Sequence, residues 1–277
     1  MAKSNEAARR IKPQASELLT LHVIRRQVIT PNMARVTLGA GDIAKFVPMG
    51  FDQWFRLFIP IADEETLSRL PQKLNTLSYA KYLTISKTRR PVLRNYTVRA
   101  YREVGADGPE LDVDFVLHGD AAAGTAGPAA SWAARCEPGD AVAILDEGIG
   151  FVQPAETDSV LLVADETGLP AVAGVLASLP ADTVGIALIE VPTADDIQDL
   201  AGPPKVDVRF VVRPDAQETP GRAVLAAAEA LPPLGERCSA WTVGESALVA
   251  GARRYWIATG VPKENIMFCG YWKASHH

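Results

Sequence analysis

Cysteine and histidine are scarce in this sequence. Its 277 residues contain four histidines and three cysteines, Cys136, Cys238 and Cys269, which lie far apart with no CxxC pair. This inventory cannot supply the thiolates of an iron–sulfur cluster or the usual ligands of a structural zinc site, so we expect no resident metal. An odd and sparse cysteine count favours free thiols in a reducing cytoplasm.

Long apolar runs and several catalytic motifs are also missing. The most apolar stretch, Ser159 to Leu179, is interrupted by Asp165 and Glu166, and we expect no membrane span. The first residues lack the apolar segment that a signal peptide needs. The sequence contains no GxGxxG fingerprint, GxSxG elbow, P-loop or HExxH motif, which disfavours a hydrolase.

The net charge of −5 conceals a strong segregation of charge. Residues 1–102 carry 18 basic and 7 acidic side chains, whereas residues 103–204 carry 1 and 19. The segment Lys81 to Arg102 has basic residues and no acid, which would create a field that attracts anions. A solvated surface with segregated charges explains most such runs equally well. The acidic middle would repel a phosphate backbone, so we expect no nucleic acid partner.

The pattern of apolar segments predicts a first domain built on an antiparallel β-barrel. Short β-branched segments alternate with turn residues up to about residue 150. The predicted barrel strands are Leu21–Ile29, Ala34–Leu38, Trp54–Pro60, Arg94–Arg102, Leu111–His118 and Ala141–Leu145. A helix or long loop is predicted at Glu64–Tyr82, and a short helix at Ala129–Cys136.

From Asp158 onward strands alternate with helices, which predicts an α/β domain with a parallel sheet. The predicted strands are Val160–Ala164, Val184–Val191, Val206–Val212, Ala240–Val243 and Ile266–Cys269, and the predicted helices are Leu169–Leu179, Ala194–Leu200, Arg222–Leu231 and Glu245–Thr259. The predicted domains are the barrel domain, residues 1–153, and the α/β domain, residues 154–277. Right-handed crossovers would gather the loops after the strands at the carboxyl edge of the sheet, where ligands bind in open α/β folds.

The strand around Arg94 carries the first candidate functional residues. Arg94 and Tyr96 would share one face of the strand, and Thr97 would lie on the other. A guanidinium, an aromatic ring and a hydroxyl at this spacing can hold a phosphate, cover a flat heterocycle and hydrogen-bond a ring nitrogen. Tyr and Thr are also ordinary strand formers, so this pattern alone favours a structural role.

A second candidate group follows the strand that ends near His118. His118 and Gly119 precede a helix start with the sequence GPAASW at 127–132. Small residues and N–H groups at a helix start form a compact anion site that suits a pyrophosphate. An ordinary helix cap, with Trp132 in the core, is the alternative, and His118 fits a structural role as well as a functional one.

Two loops of the second half form a third candidate group. The residues Asp165, Glu166 and Thr167 follow the first parallel strand, and Gly244-Glu245-Ser246 follows the fourth. Both loops lie where a nicotinamide dinucleotide would bind in such a fold, although Thr167 and Ser246 also suit helix caps. The segment GYWK at 270–273 could face a cofactor or substrate, or anchor the chain on the core.

Taken in order, a series of short motifs resembles the siderophore-interacting protein family. These are bacterial FAD-dependent ferric-siderophore reductases related to ferredoxin-NADP reductases. The motifs are RNYT at 94–97, DFVLHG at 114–119, GPAASWA at 127–133, GD at 139–140, DETGLP at 165–170, Trp241 with GE at 244–245, and GYW at 270–272. The resemblance implies an FAD-binding barrel followed by an NAD(P)H-binding-like α/β domain.

The resemblance also implies a role for each candidate residue. Tyr96 and Thr97 would be the catalytic residues beside the flavin ring, and Arg94 would bind the FAD phosphates. The other implied FAD-binding residues are Val116, His118, Gly119, Ala129, Ala130, Ser131 and Trp132, and those implied for the nicotinamide nucleotide are Asp165, Glu166, Thr167, Gly244, Glu245 and Trp272. The family usually has Ser at the position of Ala130 and Gly at that of Ala164.

The implied reaction moves electrons from NADPH or NADH, or from ferredoxin, through FAD to Fe(III) in a siderophore, and releases Fe(II) in the cytoplasm. Ferric siderophores are often anionic, so we expect basic substrate-binding side chains. The candidates, chosen by charge and position, are Arg56, Arg89, Arg90 and Lys273. Two alternatives remain: a flavin or ferric reductase that acts on another chelate or on haem, and a siderophore-binding protein without redox activity.

Overall fold

The first half of the chain forms an antiparallel sheet of seven strands. In this computed structural model the described residues are 9–14, 16–61, 65–71, 76–119 and 126–274. The strands are β1 (Leu18–Thr30), β2 (Met33–Gly39), β3 (Trp54–Ile59), β4 (Val92–Thr97), β5 (Ala100–Gly105), β6 (Gly108–Val116) and β7 (Ala141–Gly148). Their order across the sheet is β4-β3-β7-β1-β2-β6-β5.

A bend between β4 and β5 joins the two ends of this sheet. The N–H of Val98 donates to the carbonyl of Gln53 at 2.8 Å, and the N–H of Arg99 donates to the carbonyl of Asp112 at 2.9 Å. The N–H groups of two consecutive residues therefore bond to the chain beside opposite edges of the sheet, which makes the sheet barrel-like. The single strand predicted at Arg94–Arg102 is wrong, because the chain changes its pairing partner there from β3 to β6.

The strand β6 has one face in the barrel core and one face covered by arginines. Leu111, Val113 and Phe115 are buried in the core. Asp112 and Asp114, on the other face, are buried against guanidinium groups instead. The salt bridges on this face are Arg35–Asp114 at 2.7 Å, Arg102–Asp112 at 2.6 Å, Arg102–Glu110 at 2.8 Å and Arg25–Glu110 at 2.7 Å. The alternation of apolar and acidic residues that predicted this strand therefore separates a core from an ion-pair network.

Short helices accompany the barrel strands. The chain forms α1 (Glu65–Ser68) and α2 (Thr76–Thr84) in the segment predicted as a helix or long loop, of which residues 64 and 72–75 lie outside the described residues. The third helix, α3 (Pro128–Ala133), begins with Gly127 as its N-cap residue. It starts one residue before the predicted helix and ends three residues earlier, before the turn at Pro138-Gly139.

The second half of the chain forms a five-stranded parallel sheet with helices between its strands. Its strands are β8 (Ser159–Ala164), β9 (Val184–Val191), β10 (Lys205–Val212), β11 (Cys238–Glu245) and β12 (Ile266–Trp272), and its helices are α4 (Leu169–Ser178), α5 (Arg222–Glu229) and α6 (Ser246–Ala258). The order β10-β9-β8-β11-β12 reverses direction between β8 and β11. The predicted fold class, an antiparallel barrel followed by a parallel α/β sheet, is confirmed.

The helix predicted at Ala194–Leu200 is wrong. Only a single 3-10 turn, Ala194–Asp196, forms there. The Asp196 carboxylate accepts hydrogen bonds from the N–H of Thr193 at 3.2 Å and from its hydroxyl at 2.7 Å, and Ile197 is already extended. Thr193 and Asp196 form a capping box, which favours a helix start, but the turn does not continue into a helix beyond Asp196.

The outermost parallel strand, β10, is charged along its solvent side. Lys205, Asp207 and Arg209 alternate along it and are exposed. Arg209 and Asp207 form an ion pair at 2.6 Å. The strand therefore has a polar outer face while Val206 is buried beneath it.

Within the described residues the chain divides into two compact units. One consists of Lys12–Met49 and Gln53–Gly148, and the other combines the described residues up to Ile11 and the segment Gly50–Asp52 with the chain from Ile149 onward. The domain division at residues 153 and 154 stays a prediction. Among the described residues, no helix combines the length and the apolar character needed to cross a membrane.

Candidate functional site

The strand β4 carries the three candidate residues of the predicted flavin site. Arg94 is exposed, and its Nη1 donates to the carbonyl of Leu93 at 2.8 Å. Tyr96 is half-buried and Thr97 is 7% exposed. Burial raises the pKa of the Tyr96 hydroxyl above its ordinary value, while the charge of Arg94 opposes this shift. Tyr96 is therefore a neutral aromatic side chain at all physiological pH values.

Aromatic contacts connect β4 with the end of β6 and with α3. The ring centroid of Tyr96 lies 4.3 Å from that of Phe115, and Phe115 lies 5.6 Å from Trp132. Phe115 and Trp132 are buried in the barrel core. This aromatic row, Tyr96–Phe115–Trp132, brings the three predicted FAD-binding segments together in one part of the barrel unit.

The loop after β6 and the start of α3 approach each other closely. A Cβ atom added to Gly127 would lie 3.4 Å from Nε2 of His118. Gly119 has a φ of 70°, a left-handed conformation that a glycine adopts without strain. Val116 is half-buried, and His118 and Gly119 are exposed.

The beginning of α3 has small side chains around its first N–H groups. Ala129 and Ala130 follow Pro128, so the first turn of the helix carries only small side chains after the proline, and both alanines are buried. The hydroxyl of Ser131 approaches the carbonyl of Ala126 at 3.5 Å. The first N–H groups of a helix lack intrahelical acceptors and attract anions such as phosphate.

The chemistry of these residues fits FAD. A guanidinium for phosphate, a neutral aromatic ring for the isoalloxazine, a hydroxyl for a ring nitrogen and helix N–H groups for a pyrophosphate all come from one unit. The residues that would hold FAD are Arg94, Tyr96, Thr97, Val116, His118, Gly119, Ala129, Ala130, Ser131 and Trp132. Their individual roles stay predictions.

The carboxyl edge of the parallel sheet is organised around Asp165, which directly follows β8 and is fully buried. Its Oδ1 accepts hydrogen bonds from the N–H and the hydroxyl of Thr167, at 2.9 and 2.5 Å. Its Oδ2 accepts hydrogen bonds from the N–H of Glu245 at 2.7 Å and from Nε1 of Trp272 at 3.2 Å. Burial, followed by the charge of Glu166, raises the pKa of Asp165 to about 6. Asp165 therefore joins the ends of β8, β11 and β12.

Two further residues of this edge were missed from the sequence. Arg213 follows β10 and binds Glu166 through two contacts, at 2.7 and 3.0 Å, and Glu190 at 3.0 Å. Glu190, near the end of β9, also accepts hydrogen bonds from the N–H groups of Gly221 and Val224. The available signal was a charged residue that interrupts or follows an apolar strand.

Gly244 and Glu245, also predicted to bind the nicotinamide nucleotide, lie at the same carboxyl edge of the parallel sheet. Glu245 is 3% exposed, and its carboxylate accepts from the N–H of Ala247 and, at 3.1 Å, from that of Ala274. A Cβ atom on Gly244 would lie 2.6 Å from the Asp165 carboxylate, so the two residues are in direct contact. The predicted nicotinamide residues are thus close together, but the N–H of Thr167 and that of Glu245 already bind a carboxylate. These residues do not fit a pyrophosphate in the crevice between β8 and β11.

The four predicted substrate-binding cations differ in their surroundings. Arg56 forms a salt bridge with Glu147 at 2.7 Å. Arg90 donates to the carbonyls of Leu83 and Ile85 and lies over the ring of Tyr82. Arg89 and Lys273 are exposed.

A surface cavity in the barrel unit contains Arg89. Its volume is about 630 Å³, and its lining residues are Ser68, Arg69, Leu70, Thr84, Ile85, Ser86 and Arg89. Two guanidinium groups and two serines give this cavity a chemistry that suits anionic or oxygen-rich molecules.

The barrel and the parallel sheet together define a two-domain protein that has the fold of the ferredoxin reductases and contains an FAD-binding domain. The family described as "Siderophore-interacting FAD-binding domain" matches residues 22–149, and the family described as "Siderophore-interacting protein" matches residues 157–275. The chain belongs to the siderophore-interacting protein family. The predicted family and the predicted FAD cofactor are confirmed.

Similarity to individual proteins supports the assignment to this family. An uncharacterised protein of Mycobacterium tuberculosis is 35% identical over 196 residues, which cover 71% of this chain and 65% of that relative's length. The ferric vibriobactin reductase ViuB of Vibrio cholerae is 27% identical over 91% of this chain and 88% of its own. The crystal structure of a siderophore utilization protein from T. fusca aligns with a TM-score of 0.72 at 28% identity, covering 97% of each chain.

Proposed function

We propose that this flavoprotein is an oxidoreductase that reduces Fe(III) bound to a siderophore. The observation that carries the proposal is the convergence of Arg94, Tyr96 and Thr97 with the end of β6 and the start of α3, within a siderophore-interacting FAD-binding domain. The similarity to a ferric vibriobactin reductase over 91% of the chain supports the same reaction.

The chain's own residues bind and orient the cofactor. FAD, when bound, supplies a ring that accepts electrons in pairs and passes them on singly. Arg94 would hold a phosphate of FAD through its guanidinium. Tyr96, whose neutral ring packs on Phe115, would contact the flavin, and Thr97 would offer it a hydroxyl. Electron transfer needs proximity and a matched potential rather than a proton relay, so an acid–base pair is not required.

The electrons come from NADPH, NADH or ferredoxin, and the product is Fe(II), which a hard-oxygen chelator binds far less tightly than Fe(III). We assign the reaction to the cytoplasm, and the presence of three cysteines outside any disulfide supports a reducing compartment. Four basic side chains are the proposed contacts for an anionic ferric siderophore: Arg56, Arg89, Arg90 and Lys273. Arg89 and Lys273 are exposed to solvent.

The first experiment measures the reduction of the flavin and the reduction of Fe(III) in two separate steps. The FAD-loaded protein is mixed anaerobically with NADPH or NADH in a stopped-flow instrument, and then with ferric siderophores in the presence of an Fe(II) trap. Bleaching of the flavin band followed by its recovery with trapped Fe(II) supports the reductase and identifies the donor. If neither nucleotide bleaches the flavin, reduced ferredoxin is tested next.

A comparison of acceptors tests the substrate class. Rates with ferric siderophores are measured beside rates with ferric citrate, free flavin and haem, and a clear preference for siderophores is expected. Equal rates for all acceptors would instead indicate a general ferric or flavin reductase. Binding of a ferric siderophore without any Fe(II), even from chemically reduced flavin, would indicate a binding protein and refute the reductase.

A further inference from the structure

The space where an open α/β fold usually binds a dinucleotide is filled by a side chain of this protein. In such folds the ligand binds at the carboxyl ends of the strands, where the strand order reverses. Here that point lies between β8 and β11. Asp165 lies there with 0% exposure, in contact with the backbone of Gly244.

The hydrogen bonds of Asp165 resemble those of a bound anion. All four groups that contact its carboxylate are donors: two backbone N–H groups, one hydroxyl and one indole N–H. Backbone N–H groups at strand-to-helix turns are the donors that such folds use for phosphate. The Thr167 and Glu245 N–H groups are therefore already saturated by an internal carboxylate.

The charge around this crevice also opposes a second anion. Glu166, Glu190 and Glu245 are buried at the same edge as Asp165, and Arg213 is the one buried cation among the described residues that pairs with them. One guanidinium cannot balance all of these carboxylates, so a pyrophosphate brought here would meet a surplus of like charge.

We propose that Asp165 is a specificity-determining residue: its carboxylate takes the place of a dinucleotide pyrophosphate in the α/β unit and thereby weakens the binding of NADPH and NADH. This inference rests on the proposed function, because it concerns the electron donor of that reaction. It implies that a donor without a pyrophosphate, such as a ferredoxin, has the advantage.

The binding of oxidised nucleotides tests the proposal without any redox step. NADP⁺ and NAD⁺ are titrated by calorimetry into the FAD-loaded wild-type protein and into Asp165→Ala, which removes the carboxylate and uncovers its donors. We expect Asp165→Ala to bind NADP⁺ about tenfold more tightly than the wild type. The matched control is Asp182→Ala, which removes an exposed carboxylate that precedes β9, at the opposite edge of the same sheet, and leaves the affinity unchanged.

The proposal is overturned if folded Asp165→Ala binds NADP⁺ as tightly as the wild type, or more weakly. It is also overturned if the wild type binds NADP⁺ with micromolar affinity and this substitution abolishes the binding. Circular dichroism and thermal unfolding establish that the variant is folded. Should it not fold, the wild type itself provides the test, because protonation of Asp165 removes the same charge.

The wild-type affinity for NAD⁺, which lacks a titrating 2′-phosphate, is measured from about pH 8 down to about pH 5.5. We expect it to rise as the pH falls. The charged groups that face Asp165 are Glu166 and Glu245; Glu166 is paired with Arg213, and Glu245 is hydrogen-bonded to two N–H groups. An affinity that stays constant or declines over this range would refute the proposal.

A separate assay keeps this result distinct from the proposed function. Protein reduced with dithionite is mixed with a ferric siderophore and an Fe(II) trap. If no Fe(II) forms, the reductase proposal fails regardless of Asp165, and if Fe(II) forms while the Asp165→Ala affinity is unchanged, only the inference about Asp165 fails.

Discussion

Arg213 and Glu166 form a two-contact ion pair that is almost completely buried, with Nη1 2.7 Å and Nη2 3.0 Å from the carboxylate oxygens. They follow different strands, β10 and β8, which are not neighbours in the sheet. Glu190, near the end of the intervening β9, shares the same guanidinium at 3.0 Å. The pair therefore connects the ends of three parallel strands.

Removing Arg213 should destabilise the protein strongly. In Arg213→Met, the carboxylates of Glu166 and Glu190 remain buried without their cation, and we expect a loss of about 3 to 5 kcal/mol in the free energy of unfolding. Urea unfolding measures it. The control is Arg209→Met, which breaks an exposed ion pair with Asp207 and should cost only about 0 to 1 kcal/mol. Similar losses in both variants would contradict the importance of the buried network.

Asp165 should make the free energy of unfolding decrease as the pH rises, the opposite of the effect of a carboxylate whose pKa is lowered by folding. Its pKa in the folded protein, about 6, lies above its ordinary value of 3.8, so the folded state binds the proton more tightly. Its contribution to stability is therefore greatest below the ordinary pKa and declines as the pH rises through about 6, by about 3 kcal/mol in total. Urea unfolding of the wild type and of Asp165→Asn from about pH 4 to pH 8 checks this. Parallel curves for the two proteins would contradict it.

Glu110 should have the opposite effect. Hydrogen bonds from Arg25 and then Arg102 lower its pKa from 4.5 to about 2. The stability that it contributes is present above its ordinary pKa and is lost as the pH falls toward 2. Glu110→Gln should therefore be less stable than the wild type at neutral pH, and the difference should shrink in acid. A difference that does not change with pH would argue against the ion pairs as its cause.

Arg94 should distinguish FAD from flavins without phosphate. If its guanidinium binds a phosphate, Arg94→Met lowers the affinity for FAD by about tenfold to a hundredfold and leaves that for riboflavin unchanged. Quenching of flavin fluorescence by the apoprotein measures both affinities. Arg89→Met, which removes another exposed arginine of the same unit, serves as the control. An equal loss for riboflavin would exclude a phosphate contact.

The fold could be predicted from the sequence wherever the local pattern of residues determines the strand or helix without help from distant pairing partners. The strand at Val184–Val191 is predicted with its exact bounds, because its short length and β-branched residues favour a strand over a helix. The bend at Val98 and Arg99 was not predictable, since each N–H chooses a partner far away in the sequence. At Ala194 the helix start was predictable, since Thr193 and Asp196 form a capping box, but the length of the helix was not: the chain is extended from Ile197.

The candidate site was predictable as a set of segments but not in its electrostatics. The motifs identified the strand at Arg94, the start of α3 and the loop at Asp165. That Asp165 is buried depends on Glu245 and Trp272, which lie 80 and 107 residues further along the chain. No local pattern records such contacts, and the pairing of Arg213 with Glu166 was missed for the same reason.

The exposed charges of β10 bear on how this protein behaves at high concentration. An outermost strand presents unpaired backbone groups to which a strand of another molecule could add. Lys205, Asp207 and Arg209 alternate along this strand, so an incoming strand would have to desolvate charges of both signs. This edge of the parallel sheet thereby discourages the addition of strands from other molecules.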